Sequence, residues 1–223
     1  PIGALQAVLG GHKHNFSFYV LGFIMLFGVV FGRLICGFLC PFGLVQDLLH
    51  RIPLPKLKVH KKVDKPLRWL KYLVALVMVV LLPIFLTNSV GVGDPTFCKW
   101  ICPAGTLEGG IPLTLSNESL RSVQGFLFNW KMGILVTVMI ASILIYRPFC
   151  KYLCPLGAFY GLFNRYSFFR MDLEKSKCSG CKACERSCPM NVEILKNPNS
   201  TECVRCGKCK AVCLSSAISM GFK

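Results

Sequence analysis

The chain has 223 residues, 53% of them hydrophobic, and a mean hydropathy of +0.54. The apolar excess lies in the first 170 residues, which is membrane composition and argues against a disulfide-knit secreted scaffold despite 14 cysteines. The formal net charge of +16 is uneven: residues 1–171 hold 17 Lys and Arg against five Asp and Glu, in loops between apolar segments, so it points to membrane orientation rather than to nucleic acid.

In chain order, residues 1–11 read PIGALQAVLGG and lead to His12, Lys13 and His14. Phe16 to Gly32 is an uninterrupted apolar run, prolonged past Arg33 by Leu34, Ile35, Phe38 and Leu39, and long enough to cross a bilayer. Arg33 is expected to snorkel to the headgroups and mark the cytoplasmic end. Residues 50–71 carry eight Lys and Arg, one Asp and three prolines, the composition of a cytoplasmic loop. A second span is predicted from about Trp69 to Leu86, with Trp69 and Tyr72 at the interface and Pro83 positioned to kink it. Residues 87–125, with Asp94, Lys99, Glu108, Glu118 and Arg121, have no basic excess and fit the outer side. A third span, Phe126 to Tyr146, returns the chain. Residues 155–170 read as an interfacial helix or one packed against the spans. His12, His14, His50 and His60 do not pair mid-span and are read as interfacial or solvated rather than as haem ligands. No dinucleotide, Walker or nucleophile-elbow motif is present.

Cys178, Cys181, Cys184 and Cys188 are spaced CxxCxxCxxxC with Pro189 behind, and Cys203, Cys206, Cys209 and Cys213 repeat the spacing with Leu214 in place of proline. This is the signature of two [4Fe–4S] clusters. Three thiolates two residues apart wrap one cubane, and the fourth ligand crosses over. Cys178, Cys181, Cys184 and Cys213 are expected to hold one cluster, and Cys203, Cys206, Cys209 and Cys188 the other. Gly180, Ala183 and Gly207 are small enough to let the backbone turn. Zinc would more usually pair two CxxC units across a longer gap.

Cys36–Cys40, Cys98–Cys102 and Cys150–Cys154 are three copies of CxxxCP, continued as PFGLVQD, PAGTLEG and PLGAFYG. They form an internal repeat. Pro1–Ile–Gly–Ala–Leu–Gln–Ala matches the same tail, so a cysteine is expected just before Pro1 in a longer precursor. Each pair could chelate metal, close a disulfide or sit as buried small hydrophobes. Cys36, Cys40, Cys150 and Cys154 fall at the inner ends of the first and third spans and make a complete ligand set for a further cluster; Cys98 and Cys102 fall outside.

The expected fold class is an α-helical integral membrane domain, residues 1–170, of about three spans with interfacial or re-entrant helices, plus a small α+β bacterial-type ferredoxin domain, residues 171–223. The apolar spans, the CPFGLVQ and CPLGAFY repeats and the C-terminal CxxCxxCxxxCP run together resemble the NapH-type membrane ferredoxins. Such a resemblance implies an electron-transfer subunit of a quinol-dehydrogenase-like oxidoreductase in the bacterial cytoplasmic membrane, multi-pass, with its ferredoxin on the cytoplasmic side. It would pass single electrons between a quinol or cytoplasmic donor and a redox partner protein. The related nitrous-oxide-reductase regulators and cytochrome oxidase accessory proteins imply the alternative, thiol or copper reduction or redox sensing at the CxxxCP cysteines.

Overall fold

In a computed structural model of the chain, residues 6, 16–57, 59–85, 95–117 and 125–222 are described; Pro1–Leu5, His12, His14, Asp94, Glu118 and Arg121 lie outside them. Helix α1 is Phe16–Phe31, followed by α2 Leu34–Phe38 and α3 Pro41–His50. Helix α4, Lys61–Val74, runs through a π-helical stretch, Ala75–Leu81, into α5, Leu82–Phe85. Then come α6 Thr96–Trp100 and α7 Pro103–Gly105, which passes through a π turn at Thr106–Gly110 into α8 Ile111–Ser116. Helices α9 Phe126–Leu144, α10 Pro148–Tyr152 and α11 Pro155–Phe163 complete the helical part. Strands β1 Phe169–Leu173 and β2 Ile218–Phe222 bracket α12 Ala183–Ser187 and α13 Lys208–Ala211.

Among the described residues, two helices are long and apolar enough to cross a membrane, Lys62–Phe85 and Phe126–Leu144. The first predicted span is helical over Phe16–Phe31, and its expected prolongation past Arg33 is a separate helix, α2. Gly32 takes φ +56, a left-handed conformation open to glycine, and ends the helix before Arg33. The second span is helical to Phe85, the last residue described there, and its start moves back into the basic segment, which is helical from Lys61 and accommodates Pro66. The π-helical stretch lies just before Pro83, whose missing N–H cannot continue the regular ladder. For residues 155–170 the packed alternative holds: α11 buries Pro155, Gly157, Ala158, Tyr160 and Gly161.

Two apolar cores result. One gathers Phe42, Phe97 and Phe149, a phenylalanine from each CxxxCP unit, with Leu135 and Val138 of α9. The other gathers Met171, Met190, Val192, Ile194, Val204 and Ile218 beneath the antiparallel pair β1–β2, in which Met171 faces Met220. The two units meet closely along residues 200–205. A Cβ on Gly37 would come within 2.7 Å of Val204 O, and one on Gly161 within 2.8 Å of Thr201 O, so only glycine permits this approach.

Candidate iron–sulfur sites

Within the C-terminal unit the eight thiols fall into two sets. Cys181 is an electrostatic neighbour of Cys213, and Cys184 of Cys178. Cys188, Cys203, Cys206 and Cys209 neighbour one another. Cys188 thus neighbours Cys203, Cys206 and Cys209 across 15 to 21 residues of chain, and Cys213 neighbours Cys181. The second set also lines a small cavity with Met171, Met190 and Val204. Among the described residues no three His, Cys, Asp or Glu side chains converge tightly enough to grip a single metal ion. Left-handed backbone at Gly180 (φ +69) and Gly207 (φ +77), and also at Lys182 and Arg205, makes the tight turns between ligands.

The two sets differ in exposure. Cys181 is exposed and Leu214 is fully exposed beside Cys213. Cys203 and Cys209 are buried, and burial pushes their thiols up to about 11 and about 12 respectively. Cys181 moves the other way, because the Ala183 N–H and the Ser179 hydroxyl favour its thiolate. The set at Cys181 therefore faces solvent, and the set at Cys203 faces the helical unit.

Each CxxxCP copy folds the same way. A short helix carries the first cysteine (α2, α6, α10), and the second cysteine donates its N–H five residues back: Cys40 to Ile35, Cys102 to Phe97, and Cys154 to Phe149. The second cysteine then turns extended, with φ/ψ of −74/111, −66/108 and −71/113, and the proline opens the next helix at its first position. Cys188 before Pro189 has the same geometry, −71/113.

Two of the copies are brought face to face. Cys150 neighbours Cys36 and Cys40, and Cys154 neighbours Cys36, Cys40 and Cys150. Sequence reasoning missed the arginines that hold this quartet. Arg33, three residues before Cys36, donates through Nη2 to Cys150 O at 3.0 Å. Arg147, three before Cys150, donates through Nη1 to Cys36 O at 2.5 Å and through Nη2 to Gly37 O at 2.8 Å. The exchange is reciprocal, as in a pseudo-twofold pair. The signal was present as R-x-x-C in both copies. Gln46, fully buried, donates to Cys150 Sγ at 3.5 Å.

Arg33 does not snorkel, contrary to expectation; it is fully buried. Its Nη1 reaches Thr201 O at 2.7 Å and the Glu202 carboxylate at 3.0 Å, and Lys71 Nζ bonds the other oxygen of Glu202 at 2.5 Å. Burial pushes the Glu202 carboxyl up, but Arg33 and Lys71 outweigh it and hold the group below the usual carboxylate range. A second knot joins Asp64 to Arg68, to Lys151 Nζ at 2.5 Å and to the Tyr152 hydroxyl at 2.6 Å. A third pairs Arg147 with Asp47. Arg205, 2% exposed, donates to Phe31 O, Asn164 O and Ser167 Oγ. In these groups six cations face three carboxylates. A positive surplus in a buried interface is costly unless an anionic group completes it.

Cys98 and Cys102 stand apart from the quartet. Their unit packs on the same core, but farther along the long helices: Thr96 Oγ1 donates to Met78 O at 2.9 Å, and Lys131 Nζ to Cys98 O at 3.2 Å. His50 Nδ1 lies 3.2 Å from Ser142 O, and His60 caps α4.

A family model described as a 4Fe-4S binding domain matches the chain at residues 14–63, 73–111 and 131–176. Each matched segment contains one CxxxCP copy, and the match ends before Cys178. The chain belongs to this 4Fe-4S family. Among its relatives is an uncharacterized protein of Methanocaldococcus jannaschii, 32% identical over 84% of this chain and 64% of its own length. The methylamine utilization ferredoxin-type protein MauN of Methylobacillus flagellatus is 32% identical over 76% of this chain and 52% of its own. The ferredoxin-type protein NapH of Haemophilus influenzae is 28% identical over 85% and 63%. The chain thus spans between about half and two thirds of the length of these relatives. No solved structure matches it. With these ferredoxin-type relatives, the chain groups with the NapH-type members of the family as an iron–sulfur protein.

Proposed function

We propose that this protein is a membrane electron relay with three [4Fe–4S] clusters on the chain described. Cys178, Cys181, Cys184 and Cys213 hold a distal cluster; Cys188, Cys203, Cys206 and Cys209 hold a proximal one. Cys36, Cys40, Cys150 and Cys154 hold the third, at the inner face of the membrane. When bound, the clusters supply one-electron chemistry, and the protein fixes their spacing and tunes them by burial and by N–H donors.

The observation that carries this reading is the contact at Arg33. One guanidinium joins Cys150 O to Thr201 O and to Glu202, the residue before Cys203. The proximal and inner thiol sets are thereby held by one shared side chain. The surplus of buried cations beside them suits cubanes with four thiolates, each carrying a net charge of about −2. The family match over the CxxxCP units is further support.

Membrane residence rests on the two long apolar helices and on the charge bias. With the basic segment of residues 50–71 on the cytoplasmic side, the ferredoxin unit, residues 171–223, lies on that side too, and the distal cluster meets a soluble redox partner there. An apolar cavity lined by Ile24, Tyr72, Leu76, Val79, Pro155 and Phe159 opens between α1, α4 with its π-helical continuation, and α11. It begins one residue after Cys154 and suits the ring and tail of a quinone exchanging electrons with the inner cluster.

Iron and acid-labile sulfide per chain, measured after anaerobic purification in detergent, test the reading. About twelve irons are expected in the wild type and about eight in Cys40→Ser/Cys154→Ser. About eight in both would leave the CxxxCP cysteines to thiol chemistry and overturn the third cluster.

A further inference from the structure

Four exposed cations accompany the solvent-facing thiols. Lys175 and Lys210 each stand three residues before a cysteine of that set, and their carbonyls accept its N–H, from Cys178 at 3.3 Å and from Cys213 at 3.2 Å. Lys182 follows exposed Cys181 and heads α12 in left-handed backbone, φ +57. Arg186, on the same helix, donates through Nη2 to Cys181 O at 2.9 Å. Helix α12 packs on α13, and Cys181 neighbours Cys213, so these side chains share one end of the unit. The carboxylates nearest in sequence are engaged: Glu174 pairs with Lys177, and half-buried Glu185 accepts the Leu195 N–H. Residues 174–186 and 208–214 hold six Lys and Arg against two Glu, so this end stays positive even beside a cubane of about −2.

The cations next to the other thiol set are turned inward instead. Arg205 donates to Phe31 O, and Lys208 Nζ lies over the Tyr146 ring, 5.0 Å from its centroid. Apolar side chains complete the solvent end: Leu214 is fully exposed and Val212 is 40% exposed, one on each side of Cys213. Transient electron-transfer interfaces bury little surface, below about 1,200 Å², and join a few apolar contacts to a charged rim that steers the encounter. Both parts are present here, beside the most exposed thiol of the chain.

We propose that this face docks a small soluble redox protein through an acidic surface around that protein's own electron-transfer centre. Leu214 and Val212 make the apolar contact, and Lys175, Lys182, Arg186 and Lys210 steer the approach. The inference deepens the relay reading and rests on its distal cluster. It excludes carriers whose exposed centre is ringed by lysines. It also makes docking fast and short-lived, because charge raises the encounter rate while so small an apolar contact does not hold the complex. One electron crosses per encounter, lost by one centre and gained by the other, with no bond made or broken.

The test follows electron transfer from the full-length protein, reduced with dithionite and freed of the excess, in non-ionic detergent without oxygen. The probes are two oxidised proteins of opposite charge, an acidic plastocyanin and a basic cytochrome c. The rate constant for plastocyanin is expected to fall about tenfold or more as salt screens the charges, while that for cytochrome c rises. Lys182→Glu/Lys210→Glu should slow plastocyanin about tenfold at low salt, and Leu214→Ser should slow it at low and high salt alike. A plastocyanin rate that ignores salt, a cytochrome c rate that falls with it, or an unchanged rate in either variant would overturn the proposal. Should the charge reversal fail to fold, Lys182→Ala/Lys210→Ala reads the same effect at smaller size. The EPR signal of the reduced wild type separates this proposal from the relay. Without that signal the distal cluster falls and the docking with it; with the signal but no preference for charge, the docking alone falls.

Discussion

Glu202 is the residue on which the two units turn. It lies between Arg33 and Lys71, both fully buried, and next to Cys203. Breaking a buried ion pair from one side leaves uncompensated charge, which costs roughly 3–5 kcal/mol. Glu202→Ala should accordingly lower the thermal unfolding midpoint in detergent well beyond an exposed control such as Glu174→Ala; equal shifts would mean that the pairs are not formed. The two cysteine runs were legible at this scale because their spacing is local chemistry. Arg33 and Arg147 were not, since an arginine at the end of an apolar run looks the same whether it reaches lipid headgroups or a carbonyl more than a hundred residues away. Gln46 was legible in principle, at one register of the repeat tail, but the repeat drew attention only to its cysteines.

Among the elements, the CxxxCP turn and the loop at residues 200–205 do the positioning. Gly37 lies inside the first turn and touches Val204 O, while Gly161 on α11 touches Thr201 O. Alanine at either position forces backbone apart and should cost roughly 1–3 kcal/mol. Gly133→Ala on α9, where an added Cβ meets nothing within 4 Å, should be neutral or stabilising by about 0.5–1 kcal/mol. Unfolding midpoints of the three variants check the contrast; a loss at Gly133 equal to that at Gly37 would contradict the close docking. Helix periodicity made α9 legible to within two residues. The break after α1 was masked by continuous hydropathy, which cannot register a single glycine at positive φ. The π-helical stretch before Pro83 was foreshadowed only as a kink.

Across the whole molecule the thiol sets fall into a sequence, from solvent-exposed Cys181, through buried Cys203 and Cys209, to the quartet at Arg33 and Arg147. Exposed Lys182 follows Cys181, and exposed Lys210 precedes Cys213, at the solvent end. Reduction of an anionic oxidant such as ferricyanide by the dithionite-reduced protein should slow as ionic strength rises, and slow further in Lys182→Glu/Lys210→Glu. A rate independent of salt would place electron exit elsewhere. Composition sets the lysine-rich C-terminal segment apart from the apolar residues before it. The docking of one unit on the other is not legible there, because its ion pairs join residues 33, 71 and 202 and leave no local pattern.

The most direct test of the relay reconstitutes the full-length protein in sealed vesicles with a trapped oxidant, with dithionite-reduced ferredoxin units facing the outside. The account predicts that the trapped oxidant is reduced in the wild type and stays oxidised in Cys40→Ser/Cys154→Ser, whose distal and proximal clusters remain reducible. Equal rates of internal reduction in the two proteins would contradict a path through the inner quartet.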